Sequence, residues 1–286
     1  MDNALIISQF SSLNFSEWKH HFEKQEAYWQ VFSVLDEIKI QYSVKNDAVF
    51  TLTLKNTDTG EIIPLSPIII TGSVDFTTYL LEFPELDNGY YMLRFSNAYS
   101  DTVRYACFCK LNIDDLRLRD TVKFRYTNRE DNFDAHFIKA DGENRYFDFR
   151  IEGGFLYGEM IFDNESNGFR NQEYINTQLS AYPFEKHKLT LGTPKGVPIW
   201  AARKINLIYS LSEITVDGKT YIRSDGSAPE ITQIIPSYPL YVIKIDVEPD
   251  DFYSERAPEF VPAYLITEDR KNWILTEDKH YIKLYG

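Results

Sequence analysis

Between residues 37 and 111 the chain repeats one pattern, in which a short alternating run of apolar and polar residues is followed by turn-forming residues. Ile38, Ile40, Tyr42 and Val44 form the first run, and similar runs cover residues 49–54, 68–70, 79–83, 91–95 and 105–109. Because successive side chains of a strand point to opposite faces, this alternation predicts strands with one buried face. Several short strands at this spacing predict an antiparallel β-sandwich, which we assign to residues 30–113.

One turn inside this region carries a more specific pattern. Residues 87–91 (DNGYY) fit the motif D-x-G-x-Y and resemble the tyrosine corner of immunoglobulin-like sandwiches, where the tyrosine hydroxyl binds the backbone upstream. We therefore expect Tyr91 to be buried, with its hydroxyl bonded to backbone near the corner. Jelly rolls use similar turns, so the sequence leaves an immunoglobulin-like and a jelly-roll topology open.

A charged stretch at residues 112–120 predicts a domain boundary near Asp114. Beyond it, alternating runs at 122–126, 147–151 and 188–191 predict further strands, and Asp217-Gly218 predicts a tight hairpin turn. The acidic, proline-containing stretch 248–262 is expected to be a long loop, and residues 261–266 and 273–275 a closing pair of strands. The second domain, residues 114–286, is therefore expected to be β-rich.

One helix is predicted in this second domain, near residues 197–211. Pro198 suits a first helical turn. An apolar stripe with helical spacing follows, and it consists of Ala201, Ala202, Ile205, Ile208 and Tyr209. Arg203, Lys204 and Asn206 lie off that stripe, so they are expected to face away from the core.

Residues 1–29 have no sustained periodicity and are expected to form an N-terminal arm. Four aromatic residues are concentrated there: Trp18, Phe22, Tyr28 and Trp29. Aromatic side chains anchor protein interfaces, so these four are the candidate interface residues. The alternative is that the segment packs on its own domain.

Charge and hydropathy exclude two classes of partner. The net charge is -13, whereas a general nucleic-acid binder needs a basic stripe. No apolar run approaches the length of a membrane span. The apolar residues 4–7 are too few for the core of a signal peptide, so we expect a protein made and kept in a cytoplasm unless it leaves as part of a particle.

The chain contains no recognisable catalytic or cofactor motif. The only cysteines, Cys107 and Cys109, are expected to be small buried apolar residues, because a zinc site needs further ligands. The histidines lack paired-ligand spacing. Residues 163–168 (DNESNG) imitate the start of a calcium loop, but Glu165 stands at the third position and Tyr174 at the twelfth. We expect a polar hairpin loop there, and neither a metal, a cofactor nor an enzyme activity.

The second region resembles structural proteins of tailed bacteriophages, those encoded by phages and prophages of gut bacteria. The resemblance lies in residues 168–172 (GFRNQ), 196–198 (GVP), 216–218 (VDG) and 221–224 (YIRS), and the preceding sandwich is similar to the immunoglobulin-like modules of tails and necks. It implies a virion component, a tail, neck or adsorption-apparatus subunit synthesised in the host cytoplasm. Its partners would be other virion proteins and copies of itself in a symmetric assembly.

The alternative function is carbohydrate binding or surface adhesion. Sandwich modules with exposed aromatic residues can stack on the apolar faces of sugar rings. Selective, saturable binding on a glycan array would favour this alternative over the virion role.

Overall fold

The computed structural model describes residues 4–17, 28–97, 100–131, 134–170, 172, 174, 176–235, 238–250, 263–264 and 283–284. The fold is mostly β, as predicted, with several antiparallel sheets and short helices. The chain divides into two compact units at Asp251: residues 1–250 form the first unit and residues 251–286 the second. Within the first unit lie two hydrophobic cores, one formed by residues before 114 and the other mainly by residues after it, together with Phe10.

The N-terminal half is a β-sandwich of two sheets. Its strands are β1 (Leu5–Ile7), β2 (Ser16–Glu17), β3 (Trp29–Ser33), β4 (Lys39–Lys45), β5 (Phe50–Asn56), β6 (Ile62–Ile63), β7 (Ile68–Gly72), β8 (Phe76–Glu82), β9 (Gly89–Asn97) and β10 (Ser100–Leu111). One sheet has the order β1-β4-β8-β7, and the other has β2-β10-β9-β5-β6 with β3 added in parallel to β10. Apolar side chains from both sheets, including Ile40, Leu81, Leu93 and Phe108, form one core.

This strand order distinguishes the two topologies that the sequence left open. In immunoglobulin notation the sheets read A-B-E-D (β1, β4, β8, β7) and G-F-C-C′ (β10, β9, β5, β6), which is the arrangement of an immunoglobulin-like sandwich. The predicted tyrosine corner is confirmed. Tyr91 is buried near the start of β9, which is strand F, and its hydroxyl donates to the Asp87 carbonyl at 2.9 Å.

The C-terminal half of the first unit is built around a closed barrel. Its elements are α1 (Leu116–Arg119), β11 (Thr121–Thr127), β12 (Phe147–Arg170), β13 (Asn176–Leu191), β14 (Val197–Pro198), α2 (Trp200–Ile208), β15 (Glu213–Val216), β16 (Lys219–Arg223), β17 (Glu230–Ile235) and β18 (Tyr238–Pro249). Pairing runs β11-β12-β13-β18-β16-β15 and returns from β15 to β11, antiparallel throughout. Six strands thus close on themselves and leave no edge within the paired region.

Helix α2 packs in the barrel's core. Its stripe Ala201, Ala202, Ile205 and Ile208 is buried in the same cluster as the inward residues of the strands, so the predicted helix and its apolar face are confirmed. The helix is shorter than predicted, because Pro198 lies in β14 and pairs with Leu240 of β18. Lys204, which was expected to face away from the core, is buried.

The described residues of the second unit form two short antiparallel strands, β19 (Ala263–Tyr264) and β20 (Lys283–Leu284). Residues 273–275, the strand expected to pair with residues 261–266, lie outside the described residues. Glu248 and Pro249, which were expected to begin a long loop, belong to β18. Residues 251–262 lie outside the described part.

Candidate protein-binding surfaces

Strands β12 and β13 continue well beyond the barrel. Past Met160 and His187 the described pairings of these strands are only with each other, from Met160↔His187 to Arg170↔Asn176. Eleven residues at about 3.4 Å each extend roughly 37 Å. We call this two-stranded segment, residues 160–186, the ribbon.

The ribbon exposes large apolar side chains on both faces. Phe162 lies opposite Glu185 on one face, and Ile161 opposite Lys186 on the other. Seven such side chains are 43–82% exposed, and they are Met160, Ile161, Phe162, Phe169, Tyr174, Leu179 and Tyr182. Exposed apolar side chains concentrated in one segment indicate an interaction site.

The base of the ribbon is fixed to the barrel. The pairing register shifts between Phe155 and Met160, and Glu159 in this bulge binds Lys244 of β18 at 2.7 Å and Thr190 of β13 at 2.9 Å. The hydrogen bond from Lys244 holds the pKa of Glu159 below its usual value, although partial burial opposes this. The barrel therefore sets the direction in which the ribbon leaves.

A second exposed apolar surface lies on the sandwich. Strand β7 ends one sheet, so one of its sides has no strand partner among the described residues. Its residues Ile68 and Ile69 are 57% and 63% exposed. An open apolar strand presents unpaired N–H and C=O groups and is a template for a further strand. We call this surface the β7 edge.

The four aromatic residues proposed from the sequence have mixed outcomes. Trp18 and Phe22 lie outside the described residues. Tyr28 packs edge-to-face on Trp200 with ring centroids 5.6 Å apart, and its hydroxyl donates to the Glu152 carboxylate. Trp29 begins β3 and packs edge-to-face on Tyr90 at 5.3 Å. The contacts described for Tyr28 and Trp29 are therefore within the chain, and the interface role stays a prediction.

The segment expected to be an arm contributes to the fold where the structure describes it. Leu5–Ile7 forms strand β1, Leu13 lies in the sandwich core, and Phe10 lies in the barrel core. The Phe10 carbonyl accepts a hydrogen bond of 2.7 Å from Tyr126. Lys204 of α2 donates to the carbonyls of Gln9 and Ser11. Residues 5–13 thus link the sandwich to the barrel.

A buried ion cluster strengthens this link. Asp36, between β3 and β4, binds Arg150 of β12 at 2.6 Å and Lys123 of β11 at 3.1 Å. Asp148 binds the same Lys123 at 2.7 Å. Burial lowers the pKa of the adjoining Lys110 to about 8, although the charges of Asp36 and Asp148 oppose this. These ion pairs fix the orientation of the sandwich relative to the barrel. The ribbon and the β7 edge therefore belong to one compact unit.

The residues considered for metal or thiol chemistry lie in the ribbon and in the sandwich. Residues 163–168, expected to form a hairpin loop, lie inside β12 on the ribbon. Among the described residues no cluster of three or more His, Cys, Asp or Glu side chains could hold a metal ion. Cys107 and Cys109 are buried and unpaired, as predicted, and burial raises the pKa of each to about 11.

No described helix has the length and apolar composition needed to cross a bilayer. Compared with known proteins, the chain matches no protein-family model and no curated protein sequence. The geometry of the ribbon and the β7 edge is therefore the main guide to function.

Proposed function

We propose that the chain is a structural subunit of a symmetric protein assembly and that the ribbon is its main binding surface. Following the resemblance to tailed-phage structural proteins, we assign the assembly to a virion, at the tail, neck or adsorption apparatus. Its partners are copies of itself and other virion proteins.

The exposed ribbon carries this proposal. An isolated two-stranded hairpin is marginally stable in water, yet this one extends roughly 37 Å from the barrel. At roughly 200 Å² per large side chain, and weighted by their exposed fractions, the seven exposed apolar residues described in the ribbon present about 800 Å² of surface. A standard protein interface buries about 800 Å² per partner. The apolar area of the two ribbon faces together is therefore comparable to one side of a standard interface.

A ribbon deletion tests the proposal directly. Replacing residues 161–186 with Asn-Gly keeps the Met160–His187 pair and closes it with a two-residue turn. We expect a folded chain, judged by circular dichroism and thermal unfolding, that stays monomeric in light scattering. The full-length chain should form oligomers under the same conditions.

Point variants give a matched control. Phe162→Ser with Tyr182→Ser removes an exposed aromatic residue from each face and should weaken assembly at least tenfold. Asn164→Ser with Asn167→Ser alters two exposed polar positions of the same ribbon and should assemble normally. Assembly of the ribbon-deleted chain at wild-type strength would contradict the proposal.

The virion assignment has its own test. Mass spectrometry of purified phage particles should detect the protein in stoichiometric copies. Its absence from particles would overturn the assignment to a virion. The role of the ribbon is tested separately by the assembly measurements.

A further inference from the structure

Three strand edges are open in the two candidate surfaces. Strand β7 has a described partner on one side only, and so do the ribbon parts of β12 and β13. Each open edge exposes backbone groups that another strand can satisfy. The three edges differ in how well they can accept such a strand.

Pro183 interrupts the edge of β13. It lies opposite Asn164 in the ribbon pairing. Proline has no N–H, and within sheets it occupies positions where that side faces away from the ladder. A strand added outside β13 would therefore miss a hydrogen bond at Pro183. The edge of β12 contains no proline between residues 160 and 170, so it is the better edge for pairing.

The β12 edge and the β7 edge match in composition. Residues 160–162 (MIF) and 68–70 (III) are both uncharged apolar triplets on open edges. Strand β7 contains no charged residue, so no like-charge repulsion opposes a strand added at this edge. Pairing β12 with its own copy would instead leave the exposed β7 edge uncovered.

We infer that the β12 edge of the ribbon of one copy pairs antiparallel with the β7 edge of a neighbouring copy, with Ile161 opposite Ile69. This inference rests on the proposed function, since it names the partner of the ribbon. The contact joins two different surfaces, so repetition builds a ring or a helical stack and not a closed two-fold dimer. The ribbon thereby extends the neighbour's sandwich sheet.

Cysteine cross-linking tests the pairing. Ile161→Cys and Ile69→Cys chains, carrying different tags, are mixed and oxidised mildly. The native thiols give little background, because Cys107 and Cys109 are buried and their reactive thiolate forms are scarce. We expect mixed disulfides to dominate over either like pair. Val49→Cys, 75% exposed and next to β5 of the other sheet, should not cross-link to Ile161→Cys.

A charge on the β7 edge gives a second measurement. Ile69→Lys should weaken assembly at least tenfold without unfolding the chain, because edge lysines block strand addition. Val74→Lys, at a position that is 94% exposed in the following turn, should assemble normally.

If the ribbon deletion abolishes assembly but Ile69→Lys does not, the inference is overturned and the proposed function stands. Dominant Ile161→Cys like pairs would also overturn it, in favour of ribbon-to-ribbon contact. If the ribbon deletion leaves assembly intact, the proposed function falls, and this pairing falls with it.

Discussion

The carboxylate of Asp36 accepts two hydrogen bonds from the guanidinium of Arg150, at 2.6 and 3.1 Å, and so joins the sandwich to the barrel. Both side chains are largely removed from solvent. A buried ion pair adds little net stability over an apolar pair, but removing one partner leaves an uncompensated buried charge. This asymmetry makes the pair a sensitive probe of the junction.

Asp36→Asn should lower the free energy of unfolding at pH 7 by about 3–5 kcal/mol. Burial alone would raise the pKa of Asp36, but hydrogen bonds and charge from Arg150, together with Lys123, lower it overall. The wild-type chain should therefore lose this contribution as the pH falls through the folded-state pKa, and the variant should not. Urea unfolding at several pH values measures both effects. Asp47→Asn, at an exposed ion pair, should change little.

Tyr91→Phe should cost about 1 kcal/mol, because it removes the hydrogen bond to the Asp87 carbonyl while keeping the ring. The neighbouring Tyr90→Phe is the control, since the Tyr90 hydroxyl accepts from Arg117 at the surface. Urea unfolding of the two variants should show the larger loss for Tyr91. Equal losses would mean that the corner hydrogen bond has no special weight.

The sandwich was predictable because its signals are local. The D-x-G-x-Y turn lies within five residues, and strand alternation can be read along each run. Closure of the barrel depends on pairings such as β11 with β15 and β13 with β18, which join residues 52 to 92 positions apart. No short pattern encodes those contacts, so the strands and the hairpin at Asp217-Gly218 were predicted but the closure was not.

The ribbon was missed for a different physical reason. Both of its faces meet solvent, so its strands need not alternate, and the polar residues 163–168 look like a loop. Lys204 was misplaced because its long side chain reaches the backbone carbonyls of Gln9 and Ser11 from a helix face that looks polar. The useful signal for the ribbon was the isolated apolar triplet 160–162 beside polar sequence.

Gly153→Ala should destabilise the chain by at least about 2 kcal/mol. Gly153 lies in β12 with φ of +139°, and an added Cβ would meet the Thr190 carbonyl oxygen at 2.4 Å and the Leu191 Cα at 2.6 Å. Gly154→Ala is the matched control, because nothing lies within 4 Å of its Cβ position. Thermal unfolding of both variants compares them, and a Gly153→Ala melting temperature equal to that of Gly154→Ala would contradict the close approach.

Lys204→Met should remove a pH dependence of stability between about pH 7 and 10.5. Burial lowers the pKa of Lys204 to about 7, although Asp134 opposes this. The unfolded chain then binds more protons than the folded chain across this window, so wild-type stability should rise with pH. Relative to Lys204→Met, the gain should be on the order of 1 kcal/mol per pH unit.

Urea unfolding of wild type and Lys204→Met at pH 7, 8 and 9 measures this difference. Lys195→Met, at an exposed lysine, is the control and should follow the wild-type profile. Parallel profiles for wild type and Lys204→Met would show that Lys204 keeps its proton in the folded chain.

Phe10→Ala should lower the free energy of unfolding by about 3–5 kcal/mol, as expected for a large core side chain. Phe10 is buried in the barrel core and packs edge-to-face on Phe137 with ring centroids 5.5 Å apart. Gln9→Ala is the control, because the Gln9 side chain is exposed while its carbonyl still accepts from Lys204. For both variants, urea unfolding measures stability and light scattering measures assembly. If Phe10→Ala kept wild-type stability but lost assembly, the N-terminal segment would be acting on a neighbour and not on its own core.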